Sequence, residues 1–252
     1  QPRTHRTAEA VDQYPVTSKS ICHCVTHYRR TMAAGERGMA DHHLGRKMEE
    51  YRARAAAPAT PHRPQASLRR LLAKNRSYRG YDPQFHVRED QLRSIIEVNT
   101  LIPSARNQQV LRFRPVLEDE AAEVLPHIRL GAALAELHLP LPGTEPRAFI
   151  IVCSTVLETR YVSIDLGISA QSMLLRATEM GLNGICIGAF DRQAIRGAFR
   201  LPWEPVLLLA VGRGAERIEL VPAEAGESLN YYRRDGVHYV PKIRLEALLI
   251  DK

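Results

Sequence analysis

Residues 148–153 read Ala-Phe-Ile-Ile-Val-Cys, six apolar residues with no polar interruption. The run is too short for an ordinary helix and right for a strand. A strand that does not alternate must be buried on both faces. A second run, Val206-Leu-Leu-Leu-Ala-Val211, repeats the pattern and ends in Gly212-Arg-Gly214. Both are expected to be central strands of one sheet with layers on either side. Neither approaches the roughly 18 or more apolar residues that a bilayer crossing requires, so no membrane partner is expected.

Working outward, the longest helical pattern is Asp165–Met180, where Ile168 and Leu175 give an apolar face among the small residues Gly167, Ser169, Ala170 and Ser172. Gly181 stands where a helix C-cap belongs. Upstream, Ser67 is a candidate cap for a helix carrying Leu68, Leu71 and Leu72, and Glu89–Asn99 is a second helix with Leu92, Ile95 and Ile96 on one side. A polar loop, Pro103–Gln109, leads into an alternating strand, Val110–Leu117. Residues Glu120–Leu137 are expected to be helical in part, interrupted at Pro126. Gly184–Gly188 is a short strand, Asp191 caps a helix through Phe199, and Tyr231–Lys242 is extended, aromatic and basic. Helices followed by mixed strands and helices indicate an α+β fold with the sheet covered on both faces.

The formal charge of +7 is unevenly spread: residues 1–65 hold 11 Lys/Arg against 6 Asp/Glu, and residues 66–252 hold 24 against 22. The folded part is therefore nearly neutral. A nucleic-acid module would concentrate charge on a folded face or arm; here the basic arm has scattered Arg and His residues without interleaved aromatics. Residues 1–38 begin with Gln and lack periodicity, so they are expected to be a disordered or non-native leader, with Met32 and Met39 as candidate natural starts. Residues 39–66 are expected to be a short polar helix, Leu44–Ala56, followed by the Pro-rich linker Ala57–Pro64. Residues 67–252 form the expected domain. The four cysteines, Cys22, Cys24, Cys153 and Cys186, make no disulfide framework and fit a reducing cytoplasm. Cys22-His23-Cys24 with His27 is too tightly spaced for the usual zinc patterns, so no metal is expected.

Three segments offer chemistry. In Arg76-Ser77-Tyr78-Arg79, two guanidiniums and a hydroxyl within four residues can converge on one phosphate, since arginine presents a planar fork matched to its oxygens. Basic residues also simply favour a helix C-terminus, and taken alone that plainer reading is the commoner one. Pro103-Ser104-Ala105-Arg106-Asn107-Gln108-Gln109 is rich in directed donors and acceptors, or is an ordinary turn. Gly188-Ala189-Phe190-Asp191 joins a strand end to a capped helix start, where backbone N–H groups are free for an electron-rich ligand, or where a chain merely turns. Asp165 reads as a favourable helix-end charge rather than a base, and Cys153 and Cys186 as inert core thiols.

Taken in order and spacing, Arg-Ser-Tyr-Arg, then Pro-Ser-x-x-Asn-x-Gln, then the small-residue helix, then Gly-Ala-Phe-Asp, resembles the nitroreductase-like family of FMN-dependent oxidoreductases over about residues 67–249. Tyr231-Tyr-Arg-Arg-Asp-Gly-Val-His-Tyr-Val-Pro-Lys242 resembles a C-terminal tail of one branch. The resemblance implies a mostly antiparallel central sheet, a homodimer with the flavin at the subunit interface, and a C-terminal extension embracing the partner subunit. It implies that Arg76, Ser77 and Arg79 hold the FMN phosphate and ribityl chain, that Pro103, Ser104, Ala105 and Asn107 reach the flavin from the other subunit, and that Gly188 and Ala189 set backbone N–H groups near its N5 and O4. Arg233 or Lys242 would complete the phosphate site. The implied activity is NAD(P)H-dependent reduction of a nitroaromatic, quinone or similar electron-poor acceptor by a ping-pong hydride mechanism, with no catalytic side chain. Two departures stand out: Val110-Leu111 follows Gln109 where the family often has Pro-Trp, and Gly188 stands where some relatives carry an acid. A flavin-binding protein without nicotinamide-linked activity is the main alternative, and a nucleic-acid module a weaker one.

Overall fold

The computed structural model describes residues 45–47, 49, 67–131 and 139–250. The chain divides into two compact units, residues 1–64 and 65–252. Of the first unit, residues 45–47 and 49 are helical; the rest of the expected leader, helix and linker, including Cys22, Cys24 and His27, lies outside the described residues.

A four-stranded sheet forms the centre of the second unit, in the order β1-β2-β4-β3, from β1 (Leu111–Val116), β2 (Ala148–Ser154), β3 (Asn183–Ile187) and β4 (Glu204–Gly212). All three pairings are antiparallel. The two apolar runs are the neighbouring central strands, β2 and β4, with Ile150 opposite Leu209 and Ile151 opposite Leu208. Alternate side chains of a strand point to opposite faces, and here both faces are filled. Phe149, Ile151 and Leu208 pack with Val124 and Ile195 on one side. Ile150, Val152 and Leu209 pack with Leu92, Ile95, Met173 and Ala177 on the other. Every residue of β2 is buried, which is why its sequence shows no alternation.

The helices that cover the sheet are α1 (Leu68–Lys74), α2 (Glu89–Glu97), α3 (Glu118–Ala121), α4 (Arg160–Glu179) and α5 (Arg192–Ala198). The caps read from sequence are in place. Ser67 accepts a bond from the Arg70 amide at 3.4 Å, and Asp191 one from Ala194 at 3.0 Å. Gly181 has φ +77, and the Leu182 amide reaches back to the Ala177 carbonyl at 2.8 Å, closing the helix with a left-handed turn. α4 starts five residues before the sequence expectation, at a cap formed by Thr159. Its first turns expose Tyr161 and Ile164, which hides the usual apolar period. Among residues 120–137, the described part holds the short α3 and a single turn at Leu125–His127; residues 132–138 lie outside the described residues.

A second, three-stranded sheet goes beyond the sequence expectation of one extended C-terminal stretch. β5 (Arg217–Ala223) runs parallel to β7 (Val237–Ile243), and β6 (Tyr232–Arg234) antiparallel to it. The extended stretch is thus a hairpin. It turns at Asp235-Gly236, whose φ values of 51 and 75 are the left-handed pair that a two-residue hairpin loop requires. Asp-Gly between two extended runs is the sequence signal for it.

Candidate functional site

Arg76, Ser77 and Arg79 follow α1 on a segment pinned to the sheet. The Tyr78 amide bonds to the Gly184 carbonyl at 3.2 Å, Tyr81 to Thr144 at 2.9 Å, Asp82 to Arg213 at 2.8 Å, and Ala215 returns a bond to Gly80 at 3.1 Å. Glycine makes this approach feasible. A Cβ on Gly214 would lie 2.2 Å from the Tyr78 ring, and one on Gly212 2.6 Å from the Tyr81 ring. Gly212-Arg-Gly214 is therefore a seat for two tyrosines.

The segment forms one wall of a cavity of about 340 Å³, which Arg76, Ser77 and Arg79 share with Gln171 and Leu174 of α4, Gly184 and Cys186 of β3, Ile218 of β5, Tyr231, and His238, Val240 and Lys242 of β7. The last three are spaced by two, so one face of β7 looks into it. Three cations thus line the cavity, and no acidic side chain does so among the described residues. Arg79 is buried, its Nη1 donates to the Ser77 carbonyl at 3.1 Å, and its guanidinium lies 4.7 Å from the centre of the Tyr231 ring. Arg76 donates to the Leu72 carbonyl at 2.6 Å, so it also closes the C-terminus of α1, as the plainer reading held. Among the described residues, the Nε atoms of Arg76 and Arg79 and Nδ1 of His238, all of this cavity, and Nε of Arg233, outside it, are buried without a hydrogen-bond partner. Orphaned polar atoms of this kind are costly and rare in native proteins. An anion in the cavity would satisfy the arginine donors.

Of the two basic residues expected to complete this group, Lys242 lines the cavity and Arg233 does not. Arg233 is bound to the carboxylate of Glu216 and lines a neighbouring space of about 240 Å³ instead. The same carboxylate accepts the backbone N–H groups of Arg79 and Gly80, the latter at 3.0 Å. Glu216 thereby ties the second sheet to the arginine segment, and no sequence motif announces it. Cys186 is exposed to the cavity rather than packed in the core as expected. Burial nonetheless pushes its thiol up to about 11, and does the same for Cys153, so both stay protonated near neutrality.

The loop residues form a second group. Pro103 and Ser104 line a separate, mainly apolar cavity of about 330 Å³ between α2, β1 and α4. Ala105 donates its N–H to Asp165 Oδ1 at 2.8 Å, and Gln108 donates its side-chain amide to Oδ2 at 2.9 Å. Asp165 is 4% exposed. It lies in the second turn of α4, beyond the reach of the helix-end dipole, so its expected role as a helix-end charge is replaced by anchorage of the loop. Arg106, Asn107 and Gln109 all have positive φ, 52, 51 and 45. Non-glycine residues held there cost energy, and such strain gathers where chain geometry serves a ligand. The Asn107 side-chain oxygen accepts from Gln109 at 2.9 Å.

Gly188 and Ala189 form a third place, the turn between β3 and α5. Ala189 borders a cleft of about 460 Å³ with Pro126–Arg129, Phe190 and Asp191, and its carbonyl accepts the Arg129 amide at 2.9 Å. Gly188 is exposed. Arg76, Ser77 and Arg79, then Pro103 and Ser104, then Ala189 thus line three different cavities.

The nitroreductase family model matches residues 72–213. A Methanocaldococcus jannaschii protein provisionally named a nitroreductase is 40% identical over 57 residues, which make up 23% of this chain and only 29% of that relative's length. The nitroreductase family protein of Streptococcus pneumoniae TIGR4 superimposes with a TM-score of 0.54 at 17% identity, covering 74% of this chain and 100% of that one. A structure from Exiguobacterium sibiricum 255-15, solved in complex with FMN, superimposes with a TM-score of 0.49 at 19% identity, covering 62% of this chain and 92% of that one. No described helix is long and apolar enough to cross a membrane.

Proposed function

The chain belongs to the nitroreductase family, and from that premise we propose that it is an FMN-dependent NAD(P)H oxidoreductase acting on nitroaromatics, quinones or similar electron-poor acceptors. The observation that carries the proposal is the cavity lined by Arg76, Ser77, Arg79 and Lys242, with two arginine Nε atoms that have no partner among the described residues. Its donor set fits a phosphate monoester: two planar guanidiniums, a hydroxyl and an ammonium, with no carboxylate among the described residues of the wall. Arg79 is held for this task by its bond to Ser77 and by the Glu216 carboxylate on its own amide.

Bound FMN would supply the redox chemistry, hydride transfer between NAD(P)H and the acceptor in ping-pong order. The protein's part is to bind and orient. Arg76, Ser77, Arg79 and Lys242 hold the phosphate end. Pro103, Ser104, Ala105 and Asn107, on a loop fixed by Asp165, reach the flavin of a second subunit. That residues of the three groups line different cavities supports that division of labour, and hence a homodimer. The exposed Tyr161, Ile164 and Gly167 of α4 fit a covered face better than a solvated one. Gly188 and Ala189 offer backbone N–H groups, which as fixed dipoles stabilise developing negative charge.

The test is a fluorescence-quench titration of flavin-free protein with FMN. Arg79→Ala should weaken binding by about ten- to a hundredfold, the worth of one strong charge-assisted bond. Unchanged affinity removes Arg79 from the site. Light scattering on the same sample should give a dimer mass, and a monomer that retains flavin refutes the interface reading.

A further inference from the structure

His238 is the most enclosed polar side chain bordering the cavity, at 2% exposure, and its Nδ1 has no hydrogen-bond partner among the described residues. An ordinary core histidine is kept by bonds to its ring nitrogens. Here the ring stands between two spaces, the 340 Å³ cavity on one side and the 240 Å³ space holding Arg233 and Glu216 on the other. It shares its strand face with Lys242, four residues on.

We propose that His238 is a further anion-binding residue of this cavity, one that takes up a proton when a phosphate monoester enters, so that cofactor affinity is linked to pH. The inference rests on the FMN reading of the same cavity. The groups facing the ring are set by several elements. Arg79 and Arg76 come from the segment after α1, Arg233 from β6, Tyr231 from the residue before β6 with its ring centre 5.1 Å away, and Lys242 from β7 itself. Cys186 of β3 is protonated. Glu216, the carboxylate bordering the second space, already accepts Arg233 and two backbone N–H groups. In the flavin-free protein the ring therefore meets positive charge that Glu216 only partly offsets. Burial first, then Arg79 and Arg233, hold its pKa down to about 4. A phosphate dianion in the same cavity offsets much of that positive charge and favours the imidazolium, which can donate from both nitrogens.

The size of the effect follows from linkage. If the bound anion restores the ring to its ordinary value of 6.5, affinity should rise about fourfold between pH 8 and pH 6 relative to a chain without the histidine. The phosphate's own protonation near pH 6 acts oppositely, so the comparison is made against His238→Gln. FMN is titrated into flavin-free wild type and variant across that range, and the ratio of the two affinities is followed. Calorimetry in buffers of different ionisation heat should show proton uptake with wild type and less with His238→Gln. Should the variant fail to fold, NMR of the wild-type imidazole decides alone: its titration midpoint should move up from about 4 towards 6.5 when FMN is added. Riboflavin, which lacks the phosphate, should leave it in place. FMN binding with an unmoved midpoint overturns the role of His238 and leaves the FMN reading standing. No FMN binding at all removes both.

Discussion

Asp165→Asn keeps the shape of the buried side chain and removes its charge, so it isolates what the carboxylate does for the 103–109 loop. The carboxylate accepts two bonds, from the Ala105 amide at 2.8 Å and the Gln108 side chain at 2.9 Å. A bond to a charged acceptor is worth about 1.5–3 kcal/mol and a neutral one about 0.5–1.5. Asparagine can keep the Ala105 bond through its oxygen, and Gln108 can turn its amide over to meet the new NH₂. Both bonds then survive in weaker form, for a loss of about 2–3 kcal/mol in loop anchoring. Opposing this, a buried carboxylate costs desolvation energy that asparagine does not. Global stability should thus change by less than the loop does. The loop has strain to release, since three non-glycine residues there have positive φ. We expect hydrogen exchange of the Ala105 amide to accelerate by about thirty- to a hundredfold, at roughly 1.4 kcal/mol per tenfold, while amides of β2 and β4 change little. Exchange at Ala105 that stays within about threefold of wild type, while the variant remains folded, would refute the anchoring argument.

Two further outcomes follow from the same geometry. A Cβ at Gly184 would lie 2.6 Å from both the Ala210 carbonyl oxygen and Leu174 Cδ2; Gly184→Ala should therefore cost about 1–3 kcal/mol in urea unfolding, as overpacking does, and an unchanged midpoint would contradict that contact. His238 has a folded pKa of about 4 against an ordinary 6.5, so below pH 6.5 the unfolded chain binds a proton that the flavin-free folded chain refuses. Its contribution to stability is intact above pH 6.5 and declines as pH falls towards 4. The stability difference between wild type and His238→Gln should shift in the variant's favour over that window, and parallel pH profiles would speak against it.

How much of this is legible in the sequence depends on where each signal comes from. The two apolar runs identify the central strand pair, because six consecutive apolar residues are too few for an ordinary helix and fit a strand buried on both faces. Ser67, Gly181 and Asp191 mark helix ends, because caps are local chemistry. The site is legible only as a pattern: Arg76, Ser77, Arg79 and Lys242 are 166 residues apart at the extremes, and nothing local says that they meet. The choice between Arg233 and Lys242 turns on Glu216, a residue with no motif. The period of two in His238, Val240 and Lys242 is present in the sequence, but it places them on one face only once the stretch is known to be a strand. Asp165 lies deeper in its helix than the sequence suggests, because α4 starts at Arg160, where exposed apolar residues obscure its beginning. β5 leaves little trace, because its buried and exposed residues alternate weakly around Pro222.

The central claim is that this chain uses FMN to take hydride from a nicotinamide. Its most direct test is anaerobic stopped-flow mixing of the FMN-loaded protein with NADH and, separately, with NADPH, following the visible absorbance of the oxidised flavin. The account predicts bleaching with at least one of the two nicotinamides, followed by recovery of colour when a quinone or nitroaromatic is added. Bound flavin that bleaches with neither would contradict it and leave a flavin-binding protein without reductase activity.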